Sequence, residues 1–386
     1  MKEVNQDVIK LELIFKSGKW FEPEPGIAHF TSLMLDKGVP GKTAYQIATQ
    51  FDLFGASIDV SAGLDFSSVT LYALASNALE IFPLFFQLVT QPIFPDHELI
   101  NAKDIFIQNL KLNLKKNSFV ASRNIRKNIF GETHPYGAII EETHIKSLSR
   151  ESLLAYFKNQ FVLQEVYLTG SLPDAVLKLM ASQLEQLNSQ SRQKINALHE
   201  KNNSPQLQHI DRTDSIQTSV RIGKRIINRN HPDYPALILL NHILGGYFGS
   251  RLMKNLREER GLTYGINSTL TNFANDSIFL IGTDINKPDR TLAIDEIMHE
   301  ITLLSNQPVS PSELILARNH LLGGLQLDAA NPFSIMDKIK SMRTYNLSSD
   351  YYSNLFQSIL KTDADFLNQL ALKHLATEEL HIVTVG

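Results

Sequence analysis

An α+β fold built from two similar halves is predicted by three observations on this 386-residue chain. Apolar runs of strand length are interleaved with stretches of helical spacing along the whole sequence, so strands and helices are mixed. The order of those elements recurs: strand, helix, second helix, strand pair and further helices appear before residue 185 and again after residue 208. Between the two rounds lies LNSQSRQKINALHEKNNSPQLQ, rich in Asn, Gln and Ser and without apolar periodicity. It reads as an exposed linker. The expected division is therefore an N-terminal half over 1–184, a linker over 185–208 and a C-terminal half over 209–386. Each half is expected to be a mixed sheet backed by helices, and 43% hydrophobic residues supply sizeable cores.

The elements follow in order. VIKLELIF, from Val8 to Phe15, alternates and reads as a strand; KSGKWFEPEPG is a polar turn. GIAHFTSLMLDKG, Gly26 to Gly38, reads as a helix entered through a glycine, with Ile27, Phe30, Leu33 and Met34 facing a core. A second helix spans Thr43 to Phe54, and two strands meet at a turn over Gly63–Asp65. Ala78 to Thr90 is apolar at helical spacing, and a long helix over Asp96 to Lys116 follows the Pro92–Pro95 break. A loop then leads to a helix capped by Ser149, with Ser152 in the capping-box position, and EVYLTGSL is a strand. In the second half come a strand over Ser219–Ile227, a helix over Tyr234–Leu244, and a glycine-bearing helix over Ser250–Arg260. A strand pair within Leu262–Asp284, two long helices and a last strand over Leu380–Val385 complete it.

Composition excludes several functions. A net charge of −3 and a pI near 6.5 give no basic field for nucleic acid. No apolar run approaches the roughly 20 residues that span a bilayer. The first residues lack the apolar core of a secretion signal, which makes the cytoplasm the default location and the periplasm an option if a signal segment has been removed. With no cysteine, disulfides, thiol nucleophiles and cysteine-ligated metals are ruled out, so any metal needs His, Asp or Glu.

His29 begins an H-x-x-E-H spacing, in which two histidines and a glutamate share a helix face. The pattern then fails, because Ser32 stands at the glutamate position and Leu33 at the second histidine. A lone histidine on an apolar helix face is ordinarily a core or boundary residue. Glu141, Glu142 and His144 have some ligand character, but in a loop they read as a solvated, helix-capping stretch. In LGGYFGSRLMKNLREERGLTYGI, Leu244 to Ile266, the glycines imply close backbone approach or a sharp turn, without the G-x-G-x-x-G of a dinucleotide site. On composition alone, Arg257 to Arg260 is a solvated helix end and Tyr264 ordinary strand filling.

GIAHFTSLML, HPYGAIIEETHIKSLSRESLLAYF and LGGYFGSRLMKNLREERGLTYGI, in that order, resemble the pitrilysin/insulinase family of zinc metallopeptidases, the inverzincins. The similarity is to its bacterial, mitochondrial-processing-peptidase-like branch and covers nearly the whole chain. It implies two α/β-sandwich halves of that metallohydrolase type forming one crescent-shaped subunit. Family members typically carry further residues before the segment equivalent to Val8, so this chain is expected to be a short variant or a truncated product. In active relatives the first motif supplies two histidine ligands and the water-activating glutamate, and a later helix supplies a third ligand, also a glutamate. Carried over, that later position is Asn109, 76 residues beyond Leu33. Of the four groups only His29 survives, with Ser32, Leu33 and Asn109 replacing the others. One imidazole cannot hold zinc with useful affinity. Asp59-Val60 also stands where relatives carry Asn-Ala near the substrate.

The second half departs less from the family. Relatives use an arginine and a tyrosine seven residues apart on the substrate backbone and the developing oxyanion, and Arg257 and Tyr264 match that spacing. The resemblance therefore implies the non-catalytic subunit of a two-chain peptidase. Such a subunit is inactive alone, binds unfolded peptide and supplies Arg257 and Tyr264 in trans to a zinc-bearing partner of the same family. No zinc is then held by this chain itself, which could form a homodimer in isolation. The alternatives are a peptidase-derived scaffold without a role in proteolysis and, less favoured, an active metalloendopeptidase with a relocated metal site.

Overall fold

The computed structural model describes residues 7–188, 203–327 and 331–386. These form two compact units, one from residues up to 111 together with 138–188, the other from 112–137 together with 203–386.

In the first unit, β1 (Val8–Phe15) lies inside a four-stranded antiparallel sheet of order β4-β5-β1-β6, with β4 (Ser57–Ala62), β5 (Ser67–Leu74) and β6 (Leu163–Thr169). Ile9, Leu11, Leu13 and Phe15 are fully buried on one face of β1, as period-two alternation requires. On the other face Lys10 and Glu12 are also buried and pair at 3.3 Å. Buried charges persist only when paired in this way. The core beneath the sheet is closed by α1 (Ile27–Leu33), α2 (Ala44–Leu53), α3 (Ala78–Thr90), α4 (Asp96–Leu114), α6 (Glu142–Ser147), α7 (Arg150–Gln160) and α8 (Asp174–Asn188). A two-stranded hairpin, β2 (Gly38–Val39) with β3 (Lys42–Thr43), follows α1. The Ser149 cap forms as the spacing predicts: Ser149 Oγ accepts from Ser152 N and Ser152 Oγ from Ser149 N, each at 3.1 Å.

In the second unit the sheet order is β7-β11-β8-β10-β9, from β7 (Leu207–Ile210), β8 (Gln217–Arg225), β9 (Ile266–Asn272), β10 (Ser277–Asn286) and β11 (His381–Val385). Pairing is antiparallel except between β7 and β11. Apart from the extra β7, it repeats the first sheet: the unit's first strand sits inside, its second sheet strand lies at an edge, and its last strand flanks the first. One face carries a separate core under α9 (Tyr234–Asn241), α10 (Arg290–Asn306), α11 (Pro311–Leu327), α13 (Tyr351–Lys361) and α14 (Ala364–His374). α5 (Asn117–Phe130) packs against β8 and β11, and α12 (Pro332–Thr344) follows α11 in the chain.

Several sequence expectations are corrected. α5 was not anticipated, and residues 112–137, placed within the contiguous N-terminal half, cluster with the second unit. Both ends of the expected linker are ordered elements, since α8 runs to Asn188 and β7 starts at Leu207; residues 189–202 lie outside the described residues. Between β10 and β11 there are five α-helices among the described residues rather than two. The helix expected over Ser250–Arg260 is π-helical from Met253 to Glu259, and α9 passes into a second π-helical turn, His242–Gly246.

Candidate functional site

His29, Ser32 and Leu33 lie on α1, only seven residues long. Gly26 opens it at φ +98°, and Glu22 Oε1 accepts from Gly26 N and Ala28 N, each at 3.2 Å. Burial outweighs those bonds and the nearby Lys19 charge, so the Glu22 pKa is pushed up to about 7. His29 is half-buried between aromatic rings, 5.4 Å from Phe30 edge-on and 5.3 Å from Phe106 of α4. Burial lowers its pKa, which keeps the imidazole neutral at pH 7. Ser32 is buried, and its Oγ donates to Ser67 Oγ at 3.3 Å; Ser67 Oγ donates in turn to Ser17 O at 2.9 Å. Leu33 offers no donor. Asn109 is exposed on α4, one turn beyond the Phe106 ring that touches His29. The structure thus brings helix α4 to His29. The groups gathered there are one imidazole, a tied hydroxyl, an alkyl chain and an amide, and this set does not fit zinc.

No other donor set replaces it among the described residues, where no three His, Cys, Asp or Glu side chains come together in a way that could hold a metal ion. Glu141 N donates to His144 Nδ1 at 3.1 Å in a capping arrangement at α6, and Glu142 pairs with Lys111 and Lys146. His242 and His320 meet, Nε2 to Nδ1 at 3.1 Å, with Tyr247 stacked on His242. Burial and the His320 charge bring the His242 pKa down to about 4.

The Arg257–Tyr264 segment is built around close backbone approach. Gly245 lies against β9 so tightly that a Cβ would come within 2.6 Å of Ser268 Oγ and 2.7 Å of Ser268 N. The π-helix that follows is held by Asn255, whose Nδ2 donates to Glu300 at 2.7 Å and Glu296 at 3.0 Å while its Oδ1 accepts from Arg260. Arg257 projects from this element, its guanidinium 4.7 Å from the centre of the exposed Phe248 ring. Gly261, at φ +64°, ends the helix. In the turn beyond it, Thr263 Oγ1 donates to Asp284 O at 2.8 Å and accepts from Gly265 N at 3.1 Å. That anchored turn holds Tyr264 out at 90% exposure. Among the described residues, the Arg257 and Tyr264 side chains make no hydrogen bond or ion pair with the protein or with each other. They are uncommitted polar groups on a braced support.

Beside Tyr264 opens a cleft of about 500 Å³ between α5 and the second sheet, lined by Ser122, Arg126, Arg221, Asn267, Thr269 and Asp284 among others. Sequence reasoning passed over Arg126 and Arg221. The buried positions Ala121, Ile125 and Ile129, four apart, were the available signal for the helix that carries Arg126.

Comparison with known proteins places this arrangement. Residues 147–321, which include Arg257 and Tyr264, match the family model described as the peptidase M16 inactive domain. The chain is 26% identical to the crystal structure of a peptidase M16 inactive domain from Pseudomonas fluorescens, covering 100% of this chain and 94% of that one at a TM-score of 0.89. In sequence over its middle and in fold throughout, the chain is thus similar to the peptidase M16 inactive domain. Over 320 residues it is 23% identical to the uncharacterized zinc protease YmxG of Bacillus subtilis, covering 81% of this chain and 76% of the relative. The fold is also that of a protease from Helicobacter pylori, at a TM-score of 0.88, 16% identity and coverage of 99% and 94%.

Proposed function

We propose that this chain is a member of the peptidase M16 family and the non-catalytic subunit of a two-chain zinc peptidase, binding unfolded peptide and presenting Arg257 and Tyr264 to a zinc-bearing partner of the same family. The observation that carries this reading is the contrast between the two motifs. Ser32 is tied into the first unit by Ser67 and His29 is packed against rings, whereas Arg257, over the exposed Phe248 ring, and Tyr264 make no side-chain hydrogen bond or ion pair among the described residues. A residue that had drifted into a packing role would be expected to be buried, yet Tyr264 is 90% exposed. The guanidinium fork suits peptide carbonyl oxygens, and the phenol can donate to an oxyanion as it forms. Zinc in the partner would supply Lewis-acid polarisation and the activated water.

The test is to purify this chain alone and together with a family member from the same source that keeps an intact H-x-x-E-H. Metal content is measured by mass spectrometry and hydrolysis with an internally quenched unfolded peptide. The expected result is zinc only with the partner and hydrolysis only by the pair. Zinc-dependent cleavage by this chain alone contradicts the proposal. Co-purification with a non-peptidase assembly instead, with no activity gained, favours the scaffold alternative.

A further inference from the structure

We infer that the cleft beside Tyr264 receives a carboxylate of the bound peptide, recognised by Arg126. This rests on the peptide-binding role proposed above and narrows it to a substrate class. The argument is one of charge balance inside the second unit. Arg126 extends from α5 into the cleft, and its Nε donates to Tyr136 O at 3.2 Å. That is the sole hydrogen bond or ion pair of its side chain among the described residues. Arg126 is part-buried, and that burial shifts its pKa below the usual arginine range, though guanidinium remains charged at any physiological pH.

The cleft's other cation is already answered. Arg221 Nη1 donates to Val220 O at 2.9 Å and Thr283 O at 3.1 Å, its Nε donates to Ser122 Oγ at 3.2 Å, and Asp284 Oδ1 lies 3.6 Å away. Asp284 in turn accepts from Ser219 Oγ. Its carboxylate is thus engaged elsewhere, and the lining carries one guanidinium more than it has carboxylates. A part-buried cation with no counter-ion among the described residues is costly, and a ligand carboxylate would both lower that cost and accept from the Nη donors as a fork. Asn267 and Thr269 add polar groups nearby, and the volume falls within the range of small-ligand pockets. Because Tyr264 forms part of the same lining, a peptide held at Tyr264 has the cleft within immediate reach. The carboxylate could be that of an Asp or Glu side chain or of the peptide's own C-terminus.

Fluorescence anisotropy on the full chain separates these sources with three labelled unfolded peptides of one sequence. One carries an internal Glu and an amidated C-terminus, one an internal Gln and a free C-terminus, and one an internal Gln and an amide. One carboxylate peptide is expected to bind about tenfold more tightly than the neutral one, and which of the two does so identifies the source. Arg126→Gln is expected to erase the preference. So is Ser122→Glu, which sets a fixed carboxylate four residues before Arg126 on α5 and keeps the test alive should the first variant not fold. Equal affinity for all three peptides overturns the inference while leaving peptide binding in place. A preference that survives both variants removes Arg126 from the role. Failure to bind any of the peptides overturns this inference and the peptide-binding reading together.

Discussion

Ser32 belongs to the packed interior of the first unit. Its hydroxyl joins a buried chain through Ser67 to the Ser17 carbonyl, so its present contribution is structural. Ser32→Ala is expected to destabilise the protein by about 1 kcal/mol in chemical denaturation, the usual worth of one buried hydrogen bond, with no change in metal content. Glu22 gives a sharper pH signature. Its folded pKa, near 7, lies above the ordinary 4.5, so its contribution to stability is fully present below pH 4.5 and is lost as pH rises through 7. His29 and His242 act in the opposite sense: their lowered values give stability that is present above pH 6.5 and lost as pH falls. Glu22→Gln should therefore raise the Tm at pH 8 relative to the parent chain, with the advantage shrinking steadily toward pH 5. An advantage independent of pH would contradict the assignment. At this scale the chemistry of Ser32, Leu33 and Asn109 can be read from residue type alone, because residue type decides what a group can ligate. The charge excess at Arg126 cannot, since it depends on α5, β8 and β10 meeting in space.

Among the elements, the π-helix from Met253 to Glu259 bears most on function, as π-helical segments recur at functional sites. Asn255 is its anchor and Arg257 its outward product. Asn255→Ala removes the amide shared by Glu296 and Glu300 and should cost about 1–3 kcal/mol of stability. In the reconstituted peptidase pair it should also lower kcat in the same direction as Arg257→Ala, although Asn255 does not face the substrate. Full activity in a measurably destabilised Asn255→Ala pair would detach the anchor from the function. The Ser149 cap and the strands of both sheets were legible from local chemistry and alternation. Helix number after β10 was not recovered, because apolar spacing merges neighbouring helices unless their caps are also read. Those caps are present: Asn331 Oδ1 accepts from Ser334 N ahead of Pro332, and Asp363 Oδ1 accepts from Phe366 N. The π geometry leaves no mark in periodicity over so short a run.

At the scale of the whole molecule, the two sheets repeat one strand order around separate cores. The repeated order was legible as a recurrence of elements, and the transfer of α5 to the second unit was not, because nothing local marks which core a helix joins. No described helix is long and apolar enough to cross a membrane. The central claim is that a chain without a usable metal set still takes part in peptide hydrolysis, and the steady-state kinetics of the reconstituted pair with Tyr264→Phe test it most directly. The variant removes one exposed hydroxyl that has no hydrogen-bond partner among the described residues, so folding should be unaffected. The account predicts a fall in kcat of about 10²-fold or more with KM little changed, the pattern expected when an oxyanion donor is lost. A kcat equal to that of the unmodified pair would contradict it.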